Sequence, residues 1–145
     1  MKTLLASLIV LFSVLCCFAC SRADNSTPVV VHVFRDPGAA EIDTAIREIG
    51  QSRLVTPDNR PIVIATLESR SYREGLASLG KDLHPELLIL DSFDDAMTAD
   101  RNSTVAIKSP TRQYFAVIPS WAQGEVRTAA NEVLSRMKTS LQPRN

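Results

Sequence analysis

The sequence predicts an α/β fold, a three-layer sandwich with a mainly parallel sheet of about five strands. Three observations predict it. Residues 29–34, 62–67 and 86–91 are near-continuous runs of β-branched and aliphatic side chains, the pattern expected where helices cover both faces of a parallel sheet. The stretches between these runs switch to helical period. Two further apolar runs then stand too close together for a crossover and predict an antiparallel hairpin, before one long amphipathic stripe closes the chain.

Strand one is Val29-Val30-Val31-His32-Val33-Phe34, led in by Pro28 and stopped by Arg35-Asp36-Pro37-Gly38, where Pro fixes φ and Gly permits the reversal. From Ala39 the period changes. Ile42, Ala45, Ile46 and Ile49 fall at i, i+3, i+4 and i+7, with Glu41, Asp43, Arg47 and Glu48 elsewhere around the cylinder, so a helix is expected with Gly50 as its stop. The loop 56–61 delivers strand two, and a second helix is expected over 71–79, with Tyr72, Leu76 and Leu79 on one side and Gly80 at its end. Strand three, 86–91, leads into a short helix over 94–99. Residues 105–107 and 114–118 flank Ser109-Pro110-Thr111-Arg112 and form the hairpin. The last helix spans 122–141, with Val126, Ala129, Ala130, Val133, Leu134, Met137 and Leu141 in one stripe. Ser92 with Asp95, and Ser120 with Gln123, have the spacing of helix N-caps. Right-handed crossovers put strand one between strands two and three.

Ahead of this domain, Lys2 and the apolar run from Leu4 to Leu15 have the form of an export signal, and all three cysteines, Cys16, Cys17 and Cys20, sit at its end. The run is short for a transmembrane helix, which needs roughly 20 residues. Ala19 directly before Cys20 resembles the lipobox of bacterial lipoproteins, which implies cleavage after residue 19 and lipid attachment at Cys20. Cleavage at the same alanine by an ordinary signal peptidase, giving a secreted protein, and retention as an anchor helix are the alternatives. The organisation is then a signal peptide at 1–19, a solvated tether at 20–27 and a single domain at 28–145. Ser21 carries no Asp-type retention signal, so in a two-membrane bacterium the expected address is the periplasmic face of the outer membrane.

Residues 21–145 contain no cysteine with which to form a disulfide, so the domain must hold together by burial. Formal net charge is zero with both signs interspersed, which gives no footprint for nucleic acid. His32 and His84 lack metal-ligand spacing, and no Gly-rich phosphate loop, nucleophile elbow or Cys-x-x-Cys follows the signal, so neither a metal nor a cofactor is expected. Asn25 and Asn102 begin Asn-Ser-Thr triplets, a pattern that arises often by chance. Trp121, at a strand-to-helix corner, reads as packing.

In an open α/β sheet, ligands bind beyond the carboxyl ends of the strands. That rim collects Arg35, Asp36 and Gly38 after strand one, Thr66, Glu68 and Ser69 after strand two, and Asp91 and Ser92 after strand three. The segments VVVHVFRDP, PIVIATLES and ELLILDS, with AVIPSW and the Gly-Glu that opens the last helix, resemble the first lobe of type 2 periplasmic solute-binding proteins. The resemblance implies ligand capture by strand-end loops and helix N-termini, here Arg35, Asp36, Ser69, Asp91 and Ser92. The leading expectation is therefore a lipid-anchored, non-catalytic binding or accessory module for a small polar solute or a partner protein. Two alternatives stand beside it. One is a small hydrolase or transferase using Asp36, Glu68 and Asp91, and the other is a structural lipoprotein without a ligand.

Overall fold

A computed structural model describes residues 27–68 and 84–142, together with Gly75. The signal segment, Cys20, Ser69 and most of the helix expected over 71–79 lie outside the described residues. Five strands are seen: β1 (Val29–Arg35), β2 (Ile62–Glu68), β3 (Leu87–Leu90), β4 (Thr104–Lys108) and β5 (Gln113–Val117). Three α-helices accompany them among the described residues: α1 (Ala40–Gln51), α2 (Phe93–Asp100) and α3 (Gly124–Leu141). The sheet order is β2-β1-β3-β5-β4, with β1 parallel to both neighbours and β5 antiparallel to both of its own. Strand one thus lies between strands two and three, and the last two strands form the hairpin, as the crossover and spacing arguments require.

Alternation along β1 assigns the two layers. Val29, Val31 and Val33 join the large core with Ile42, Ala45 and Ile49 of α1 and Ala129, Ala130, Val133, Met137 and Leu141 of α3. Phe34 points the other way, into a smaller cluster with Leu88, Leu90, Val117 and Ala96 of α2. Helix α2 packs on β3, β4 and β5. No described helix reaches the opposite part of that face, so Val30 and Val63 remain 39% and 46% exposed. Strand β2 stands at one edge of the described sheet.

Two helix boundaries depart from the sequence reading. Helix α1 runs through Gly50 to Gln51, because Ser52 closes it instead: its amide and hydroxyl both donate to the Ile49 carbonyl, at 3.0 and 2.6 Å. Helix α3 begins at Gly124, and Ser120 does not cap it. Residues 119–122 make a separate turn in which the Ala122 amide donates to the Pro119 carbonyl at 3.0 Å, and Gln123 is extended. The Arg127 guanidinium donates to the carbonyls of Pro119 and Ala122, at 3.3 and 3.1 Å, which ties this turn to the first part of α3, and no side chain caps the helix.

Candidate functional site

At the carboxyl end of the sheet, β1 turns into α1 on one face and β3 turns into α2 on the other, the switch point at which open α/β sheets have their crevice. The turn after β1 depends on Gly38, whose φ of 80° lies in the left-handed region. The crevice gathers Arg35, Asp36, Asp91 and Ser92, and they engage one another and their own backbone. The buried Asp36 carboxylate accepts the Asp91 amide at 2.8 Å, while its own amide donates to the Ile89 carbonyl at 3.2 Å. Arg35 Nε lies 2.5 Å from Asp43 Oδ1, and its Nη1 donates to the Asp36 carbonyl at 3.3 Å. Ser92 Oγ accepts the Asp95 amide at 3.2 Å, the N-cap expected from the spacing. Asp36 and Asp91 are thus adjacent. Glu68 ends β2 opposite Arg35 in the register.

Beside the crevice, on the α1 and α3 face, lies a cavity of about 490 Å³. Ala40 and Ala45 of α1, Pro110 of the β4–β5 turn and Leu141 of α3 give it apolar walls. Its polar rim comes from Glu41, Thr44 and Glu48, which with Ala45 follow helical spacing along one stripe of α1. Thr111 donates its hydroxyl to Glu41 Oε1, and Ser140 donates to Glu48 Oε2 at 2.8 Å. These two bonds tie α1 to the hairpin turn and to the end of α3.

Two buried polar atoms at this end have no hydrogen-bond partner among the described residues: Glu41 Oε2 and the Tyr114 hydroxyl. Tyr114 is 1% exposed, one strand position from the turn, with the Arg112 guanidinium 5.3 Å from its ring centre. Burial pushes the phenol pKa up, the Glu41 carboxylate pushes it further, Arg112 opposes and Asp91 adds to the rise. The charge on Glu41 therefore acts on the buried phenol. Sequence reasoning placed Glu41 and Glu48 merely on the outer side of a helix. Their spacing around Ala45 was a visible signal, but the surfaces opposite them come from residues about 70 and 92 positions away.

The other end of the sheet is built differently. His32 Nδ1 lies 3.1 Å from Glu86 Oε2, which also accepts the His32 amide at 2.6 Å. Trp121 donates its indole N–H to the Pro85 carbonyl at 3.0 Å, which is a packing role at the amino end of β3, away from the crevice. A smaller cavity of about 290 Å³ lies there, beside His84, Glu86 and Trp121. Among the described residues no group of three or more His, Cys, Asp or Glu side chains is placed to hold a metal ion, and no helix is long and apolar enough to cross a membrane. No protein-family model matches the chain, and no curated protein and no solved structure matches it.

Proposed function

We propose that this chain is an exported, lipid-anchored binding module that captures a small solute in the cavity between α1, the β4–β5 turn and α3, without chemical conversion of that solute. The observation that carries the reading is the wall of that cavity: apolar surface beside a carboxylate oxygen, Glu41 Oε2, that has no donor among the described residues. Burying a polar atom without a partner costs free energy, so an atom left in that condition beside a cavity gains when a ligand supplies the missing group. The crevice offers less. Its buried carboxylate, Asp36, is committed to the Asp91 amide, which is a structural arrangement rather than one poised for general acid–base work. Resemblance of the strand-to-loop segments to a solute-binding lobe supports binding at this end of the sheet, and the signal ending in Ala19-Cys20 supports the anchor.

Both halves of the proposal are open to test. Labelled fatty acid is expected to enter the wild-type protein and not the Cys20→Ser variant, and its absence from the wild type would remove the anchor. For the binding half, Thr44→Phe places an aromatic ring on the exposed rim of the cavity and is expected to abolish any thermal stabilisation by small solutes while leaving the unliganded melting temperature within a few degrees. Stabilisation that survives this substitution would place binding elsewhere.

A further inference from the structure

Among the described residues, the charged side chains that line the α1–α3 cavity are Glu41 and Glu48, both carboxylates. Among the described residues, Arg47 and Arg112 lie outside its lining and have contacts of their own, Arg47 with the Thr44 hydroxyl at 3.3 Å and Arg112 over the Tyr114 ring. Helix α3 ends at Leu141, so its carbonyl pole faces the cavity, and this pole favours positive charge. Helix α1 begins at Ala40 with the opposite pole, but Glu41 and Asp43 in its first turn offset that end. Between these groups the surface is aliphatic.

Resting on the binding reading above, we infer that the ligand of this cavity is a small aliphatic ammonium ion whose charged head is held by Glu41 and whose hydrocarbon body lies against Ala40, Ala45 and Leu141. An ammonium group offers three donors and no acceptor. That matches an unsatisfied carboxylate oxygen, to which it makes a charge-assisted bond, whereas an anion would meet two carboxylates and a helix C-terminus. Glu41 Oε2 turns inward in this structure while Oε1 accepts from Thr111. The terminal torsion of a glutamate is broad and roughly two-fold, so rotation about it exchanges the places of the two oxygens, and a ligand can draw one of them to the cavity. The hydroxyls of Thr44 and Ser140 on the rim can accept the remaining ammonium hydrogens.

The experiment is isothermal titration of the full chain in lipid nanodiscs, with empty nanodiscs as reference, using n-butylammonium, 1-butanol and butyrate. On the wild type, n-butylammonium is expected to bind at least tenfold more tightly than 1-butanol, and butyrate more weakly than either. Glu41→Gln is expected to erase the tenfold advantage of the cation while leaving 1-butanol unchanged. If 1-butanol binds and is lost in Thr44→Phe, but the cation binds no more tightly than the alcohol, the cavity stands as a binding site and the charge preference is overturned. Heat from none of the three probes overturns both. The ranking on the wild type needs no substitution, so the inference remains falsifiable even where a variant does not fold.

Discussion

Two polar neighbourhoods lie side by side at the carboxyl end of this sheet, and they differ in whether the protein completes its own hydrogen bonds. In the β1–β3 crevice, the Asp36 carboxylate meets the Asp91 amide, Arg35 meets Asp43, and Ser92 caps α2. At the α1–α3 cavity, Glu41 Oε2 is buried without a partner among the described residues, and the Tyr114 hydroxyl, outside the cavity lining, is in the same condition. A completed cluster of buried polar groups fixes a fold, since removing any member leaves another uncompensated. An incomplete one beside open volume is where outside chemistry gains most. Position at the strand ends marks the neighbourhood of a ligand in such folds, but hydrogen-bond completeness tells which of two adjacent places would receive it.

The contrast can be broken at several points. The largest effect is expected in the core stripe of α3, the helix whose end walls the cavity: Leu134→Ala removes a buried side chain from that stripe and should cost about 2–5 kcal/mol in urea unfolding, against roughly 0.3–0.5 kcal/mol for Glu132→Ala, which loses an i,i+4 pair with Arg136. Equal small losses would mean that α3, and with it the cavity, is not docked. In the crevice, Asp36→Ala strands the Asp91 amide and should cost about 2–3 kcal/mol, while Glu41→Gln in the cavity should change stability by less than about 0.5 kcal/mol. The reverse order would invert the assignment of structural and binding roles. Arg35→Ala should cost less than about 1 kcal/mol, because its partner Asp43 is nearly half exposed and the pair is screened by solvent.

The smallest effect at neutral pH is expected for Tyr114→Phe, which removes an unpartnered hydroxyl and should leave stability unchanged within about 0.5 kcal/mol. Its pH dependence is the informative part. Because the folded phenol is held above its ordinary pKa, the unfolded chain loses this proton first as pH rises. The contribution of Tyr114 is fully present below pH about 10 and is lost as pH climbs from there through the folded value. Wild type should therefore lose stability more steeply than Tyr114→Phe above pH about 10, and parallel curves would show that burial and the Glu41 charge do not act on the phenol.

Much of the architecture was legible because it rests on local pattern. Residues 29–34 make a β-branched run, Ile42, Ala45 and Ile49 repeat at helical spacing, and six residues between the apolar runs 105–107 and 114–118 leave no room for a crossover. Ser92 was legible for the same reason, as its partner is three residues away. The start of α3 was not, because residues 119–122 close a turn of their own, held by Arg127 from within the helix, and move the helix start beyond the reach of Ser120. Among candidate site residues, sequence order alone brought Arg35, Asp36, Asp91 and Ser92 to one end of the sheet. That Asp36 would meet the Asp91 amide depends on a contact spanning 55 residues, and that Glu41 would face Thr111 depends on one spanning 70, neither of which any local signal carries.

The most direct test of the central claim, that ligand capture belongs to the α1–α3 cavity rather than the β1–β3 crevice, is nuclear magnetic resonance mapping of the full chain in nanodiscs during titration with n-butylammonium. The account predicts saturable shifts at the amides and methyls of Ala40, Glu41, Ala45, Thr111 and Leu141, with Asp36, Asp91 and Ser92 unmoved. Saturable shifts centred on Asp36, Asp91 and Ser92, with the cavity residues unmoved, would contradict it.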